Sequence, residues 1–164
     1  MQAKPYQYLL NCFLLLLPIF LWNIIFAGQL PKGYQPELFD NGIPIFILTT
    51  ENILRGFVFL LPAFMFISTK STTSKWGWSL YLTGSLLYYG AWLMQLYFPE
   101  TLWSRGILGF MAPAYTTLIW LVGIGLIGHR SYFKRPYFST IYILFVFLFV
   151  CIHSLHSYFA FFQL

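Results

Sequence analysis

The sequence predicts an all-α polytopic integral membrane bundle of five transmembrane helices, and three observations carry that reading. Only 8% of the residues are charged and 59% are hydrophobic. Soluble domains carry about 25% charged residues, so this chain has too little polar surface to coat a globule in water. Apolar runs recur at residues 8–26, 47–67, 76–98, 106–127 and 137–159, and about 20 such residues suffice to cross a bilayer. The links between them are short, so residues 1–164 read as a single membrane domain.

The first run follows Lys4 and resembles a signal peptide in that respect. Its apolar part exceeds the usual length of about 7–15 residues, and Ile25-Phe26-Ala27 is a poor cleavage site. It is therefore expected to be retained. The link after it holds Pro31, Gly33, Pro36, Asp40, Asn41 and Gly42, which are turn formers, and is expected to cap one face. The second run contains a polar knot, Thr49-Thr50-Glu51-Asn52-Ile53-Leu54-Arg55. Residues 68–75 form a polar turn before the third run. Residues 99–105 precede the fourth run, and residues 128–136 are a basic link before the fifth. Trp76, Trp78 and Trp103 stand near run ends, where amphipathic rings anchor to headgroups. Pro18, Pro62 and Pro113 interrupt three runs. Each removes a backbone donor, so kinks are expected there, with the freed carbonyls satisfied inside the protein.

Loop charges predict the orientation. With the N-terminus inside, the inner side holds Lys4, Lys70, Lys75, Arg130, Lys134 and Arg135, while the outer side holds Lys32 and Arg105. This bias places the C-terminus outside. The net charge of +5 is spread among the loops and forms no basic stripe, so no nucleic-acid partner is expected. Cys12 and Cys151 fall at different depths, too far apart for a disulfide, whose Cα atoms lie within about 7 Å.

The knot raises the functional question. A helix starting at Ile43 puts Arg55 about 18 Å in, near the midplane, at 1.5 Å per residue. A helix starting at Thr49 puts Glu51 in its first turn, where the helix dipole favours an anion. In both, Glu51 precedes Arg55 by four residues, the better order for an intrahelical pair. Two readings stand: a self-neutralising structural pair, or a polar site for a headgroup, anion or amphipathic ligand.

Depth extends the second reading. Under the expected orientation Glu37, Asp40, Glu51 and Glu100 all fall on the outer side or outer half, as do Asn23, Asn52, Gln95, Trp103 and Arg105. Tyr81, Tyr88, Trp92 and Gln95 trace one helical face. Tyr115 lies at similar depth, and His153 and His156 fall in the outer part of the last run. The candidate ligand-binding set is therefore Glu51, Asn52, Arg55, Tyr88, Trp92, Gln95, Tyr115, His153 and His156, with four or five helices expected to converge on one outward pocket. No catalytic residue is assigned.

Other patterns are weighed and set aside. His153 and His156 have a spacing that can supply two metal ligands. No H-E-x-x-H motif or Cys/His cluster supports them, and no metal and no cofactor are predicted. Gly123-Ile124-Gly125-Leu126-Ile127-Gly128 matches a dinucleotide fingerprint literally. It ends an apolar helix instead of following a strand, so it reads as a packing surface. Gly106-Ile107-Leu108-Gly109 reads the same way.

The aromatic richness at this length resembles the small tryptophan-rich translocator/sensor membrane proteins. Gln29-Leu30-Pro31, Val58-Phe59-Leu60-Leu61-Pro62 and Ala112-Pro113-Ala114-Tyr115 look like pieces of the sterol-isomerase-like membrane domain family. These strings cover a small part of an apolar chain, and no family is assigned on them.

Three function classes stand open. The leading one is a binding or accessory protein whose outward polar pocket holds a lipid headgroup or amphipathic ligand. The second is an intramembrane enzyme acting on a lipid or isoprenoid, with Glu51 or a histidine as acid or base. The third is a helix-packing subunit of a larger complex. The expected partners are membrane lipids, together with a protein partner or a homo-oligomer in the membrane. A bacterial inner membrane and a eukaryotic endomembrane fit equally.

Overall fold

The computed structural model describes residues 10–133 and 137–163. Lys4, Lys134 and Arg135, used above for orientation, lie outside the described residues, as does the start of the first apolar run. The chain is almost entirely helical. A 3-10 turn, Cys12–Leu15, is capped by Asn11, whose side chain accepts from Phe13 N at 3.1 Å. It leads into α1, Leu17–Phe26. Pro18 sits in the first turn of α1, where a missing N–H breaks no bond, so it begins the helix instead of kinking it.

A strap follows. It contains two 3-10 turns, Ala27–Gln29 and Lys32–Tyr34, and the short helix α2, Pro36–Phe39. Gln35 folds it locally by donating to the carbonyls of Ala27 and Leu30. Gly42 turns the chain with φ +66°, a conformation that suits glycine.

Helix α3 spans Ile45–Leu60, a start between the two weighed above. It stops short of the expected residue 67. Pro62 has no N–H for the next helical bond, so the chain tightens into a 3-10 turn, Leu61–Phe64. It then runs into a strand, β1, Met65–Phe66. Helix α4 spans Thr72–Tyr97 and starts four residues ahead of the apolar run, because Ser71 caps it by accepting from Ser74 N at 3.1 Å. Pro99 follows its end. The short helix α5, Leu102–Arg105, is capped by Thr101.

The fourth run is two helices, α6, Ile107–Tyr115, and α7, Thr117–Ile127. At the break, Thr116 and Thr117 hydroxyls donate back to the carbonyls of Ala112 and Pro113 at 2.6 and 2.9 Å. Such back-bonding accompanies bent helices. A second strand, β2, Arg130–Ser131, pairs antiparallel with β1. The last helix, α8, spans Phe138–Phe161.

Among the described residues, four segments are long and apolar enough to cross a membrane: Cys12–Gln29, Ile45–Phe64, Ile107–Ile127 and Phe138–Phe161. Helix α4 is longer than any of them, but Ser74, Lys75, Ser79, Thr83, Ser85 and Gln95 lower its apolarity. Its buried face, Gly77, Tyr81, Gly84, Tyr88, Ala91 and Gln95, is the face anticipated from the spacing of its tyrosines, and it packs mainly on α7. Glycines set that close approach. A Cβ on Gly84 would stand 2.5 Å from Trp120 N, and one on Gly123 would stand 2.5 Å from Tyr81 N. The fingerprint glycines are therefore packing positions.

The core holds Leu16, Ile19, Ile47, Val58, Trp120, Ile124 and Tyr142. The outward faces are also apolar. Ile24, Ile45, Leu86 and Leu108 are each more than 60% exposed. Few residues of Cys12–Gln29 and Phe138–Phe161 are buried within the chain. Large outward apolar surface of this kind calls for an apolar surrounding.

The helices run back and forth between two ends. At one end β1, β2 and Asn11 meet, with Asn11 bridging Phe66. At the other, the strap, α5, the start of α6 and the end of α8 gather.

Candidate functional site

The polar knot folds into a closed cluster. Glu51 lies in the second turn of α3 and is 2% exposed. Arg55, one turn further, pairs with its Oε1. Helix α8 packs against this face and brings two imidazoles. His153 Nδ1 is 3.1 Å from Oε1, and His156 Nδ1 is 2.6 Å from Oε2. On its other side, His156 Nε2 lies 3.1 Å from the Phe39 carbonyl and 3.3 Å from Asp40 Oδ1. The Phe39 ring packs on the His156 ring at 4.5 Å, and Phe149 stacks on His153.

The chemistry of these partners constrains the protons. A carbonyl can only accept, so Nε2 of His156 donates to Phe39. Nδ1 and Glu51 Oε2 then hold one proton between them. A carboxylate buried without partners costs several kcal/mol, and here Oε1 meets Arg55 and His153 while Oε2 meets His156. The cluster ties α3 to α8 and ties the strap to both.

A second feature lies at the same end. An open cleft of about 400 Å³ is walled by Tyr34 and Gly33 of the strap, Phe110 of α6 and Phe161 of α8. Glu100 and Arg105 stand in its lining as an ion pair. Tyr34 stacks on Phe110 at 4.5 Å and donates to the Phe110 carbonyl at 2.8 Å. Burial pushes its phenol well above the ordinary range.

Gln95 completes the cleft, for a reason set by the backbone. Pro113 has no N–H to give the carbonyl of Gly109, one turn earlier in α6. Gln95 Nε2 supplies that donor at 2.9 Å and also reaches the Ser104 carbonyl at 3.4 Å. The freed carbonyl expected from the proline thus finds a side-chain partner on another helix.

The sequence-predicted residues do not all meet. Glu51, Arg55, His153 and His156 come together. Asn52, the next residue along α3, is exposed, and its side chain makes no hydrogen bond to the cluster residues. Tyr88 donates to Asn23 Oδ1 at 2.7 Å, away from the cluster, and Trp92 is buried beside it at 6.0 Å between ring centres. Gln95 lines the cleft instead. Tyr115 is 36% exposed and donates to the Leu108 carbonyl of its own helix. Two helices and the strap, rather than four or five helices, make the cluster. Sequence reasoning left out Tyr34, Phe39, Phe110 and Phe161. Tyr34 and Phe39 stand in the turn-rich link, whereas Phe110 and Phe161 look like any other aromatic residue of an apolar helix.

Among the described residues, no group of three or more His, Cys, Asp or Glu side chains is arranged to hold a metal ion. Both cysteines are free. The fold and the site define an all-helical protein with, among the described residues, four apolar helical segments long enough to cross a membrane, a buried carboxylate–imidazole cluster and a cleft at one end. The chain matches no protein-family model, no curated protein and no solved structure.

Proposed function

We propose that the chain is a multi-pass membrane protein that binds an amphipathic ligand, lipid-like in character, in the cleft at its outer end. Helix α4 serves as a fifth span, its glycine and tyrosine face packed mainly on α7 and its Ser85 and Gln95 buried. The N-terminus is inside and the C-terminus outside. Lys70, Lys75 and Arg130 belong to the end opposite the cleft, which supports this orientation.

One observation carries the binding reading. Three aromatic rings, an exposed ion pair and the amide of Gln95 line the same opening. Ligand pockets combine apolar walls with a few placed polar groups in this way. The buried cluster supports the site indirectly. Through His156 it holds the Phe39–Asp40 part of the strap, a few residues from Tyr34 in the cleft wall. Glu51 and Arg55 are then positioning groups rather than ligand contacts.

The test is native mass spectrometry of the whole protein released from mild detergent. Wild type is expected to retain a lipid-sized ligand, and Phe161→Ala with Phe110→Ala to lose it. Equal retention by the double variant would remove the cleft from consideration.

A second reading rests on the 2.6 Å contact of Glu51 with His156. A desolvated carboxylate–imidazole pair is suited to proton transfer on a lipid or isoprenoid. Incubation with lipid extract would show altered species by mass spectrometry if it holds. Unchanged lipid across a range of pH would set it aside.

A further inference from the structure

We infer that the cleft selects a zwitterionic phospholipid headgroup, with the phosphodiester on Arg105 and a primary ammonium on Glu100 and Gln95. This rests on the cleft reading proposed above and names the ligand class for it.

Charge comes first. Among the cleft-lining residues the ionised side chains are Glu100 and Arg105, one of each sign. Their side chains are 76% and 65% exposed, and each is held by the other. Exposed pairs are weak, so a ligand can exchange with either partner at little cost. An anionic ligand that reached Arg105 would also face the Glu100 carboxylate. An uncharged one would meet neither charge with a counterpart. A phosphate and an ammonium joined by a short linker satisfy both.

The hydrogen-bonding inventory points the same way. Gln95 is 2% exposed, and its Nε2 is committed to the Ser104 and Gly109 carbonyls. What it can offer a ligand is therefore its carbonyl oxygen, an acceptor. An ammonium with N–H groups fits an acceptor, and a phosphate does not. A quaternary ammonium has no hydrogen to give, so the primary amine is the better match. The neighbouring rings add a surface on which a cation or the linker methylenes can rest: Tyr34 on Phe110 at 4.5 Å, and Phe161 against Phe110 at 5.6 Å. These walls, and the apolar outward faces of α6 and α8 below them, favour a lipid over the free headgroup.

The experiment uses the whole protein in nanodiscs of mixed composition, with bound lipid read by native mass spectrometry. The mixture holds a primary-ammonium phospholipid, its quaternary analogue, an anionic glycerol-headgroup phospholipid and diacylglycerol. The primary-ammonium lipid is expected to be enriched about tenfold over diacylglycerol, equivalent to one strong charged contact. Glu100→Gln should remove the preference over the anionic lipid, and Arg105→Gln should weaken all phospholipids. Lys32→Gln, on the exposed strap outside the lining, should change neither. Soluble phosphoethanolamine at millimolar concentration should not displace the lipid, and full displacement would overturn the lipid assignment. Anionic lipid held equally well, with Glu100→Gln silent, would overturn the zwitterion inference while leaving the cleft as a binding site. Wild type retaining no lipid at all would remove both.

Discussion

His156 Nδ1 lies 2.6 Å from Glu51 Oε2, joining residues 105 apart in sequence across the α3–α8 interface. Both side chains are almost fully buried, at 3% and 2% exposure. Breaking a buried ionic contact by removing one partner typically costs about 3–5 kcal/mol. Glu51→Ala is expected to destabilise the protein by about that much. Glu51→Gln should do so by less, since it keeps one acceptor. Thermal unfolding in detergent, followed by tryptophan fluorescence, measures both. An unchanged midpoint for Glu51→Ala would show that the cluster does not hold α3 to α8.

Asn52 is the adjacent residue and gives the contrast. It is exposed on α3. Asn52→Leu should change stability by no more than about 0.5 kcal/mol, as for surface sites without special contacts. A loss comparable with Glu51→Ala would mean that this face of α3 is covered in the assembled protein.

The strap should respond to the cluster. Phe39 and Asp40 meet His156, while Tyr34 belongs to the cleft wall. Hydrogen exchange of residues 31–40 is expected to quicken in Glu51→Gln and in His156→Phe, with ligand retention falling in both. Exchange that stays at the wild-type rate would uncouple the cluster from the cleft.

Gln95 and Pro113 form a compensating pair. Gln95→Leu strands the Gly109 carbonyl, and a buried polar group left unpaired costs about 1–3 kcal/mol. Pro113→Ala restores an N–H one turn away, so the double variant should recover most of the loss. Strictly additive effects of the two substitutions would refute the partnership.

Two glycines in membrane-length helices should behave oppositely. A Cβ at Gly84 meets Trp120 N at 2.5 Å, whereas one at Gly56 meets nothing within 4 Å. Gly84→Ala should force α4 and α7 apart and cost about 1–3 kcal/mol. Gly56→Ala should be neutral or stabilising by up to about 1 kcal/mol. Equal effects in unfolding measurements would argue against the close α4–α7 contact.

What the sequence by itself determined is the part written in local chemistry. Apolar runs mark helices: the extent of α8 comes within a few residues of its run, whereas α3 ends well short of its run because Pro62, expected to kink the helix, ends it in a 3-10 turn. The four-residue spacing of Glu51 and Arg55 makes their pairing a property of one helix. The three-residue spacing of His153 and His156 likewise puts both on one face. The tertiary structure alone decided which face meets which. Rise per residue gives each side chain a depth along its helix, and depth grouped Tyr88, Gln95 and Tyr115 with Glu51. Rotation about the helix axis is set by packing, by contacts such as Gly84 on Trp120 and α8 on α3. That rotation sends Tyr88 to Asn23, Gln95 to Gly109 and Tyr115 to its own helix. It leaves Glu51 facing His153 and His156, with Asp40 of the strap beyond.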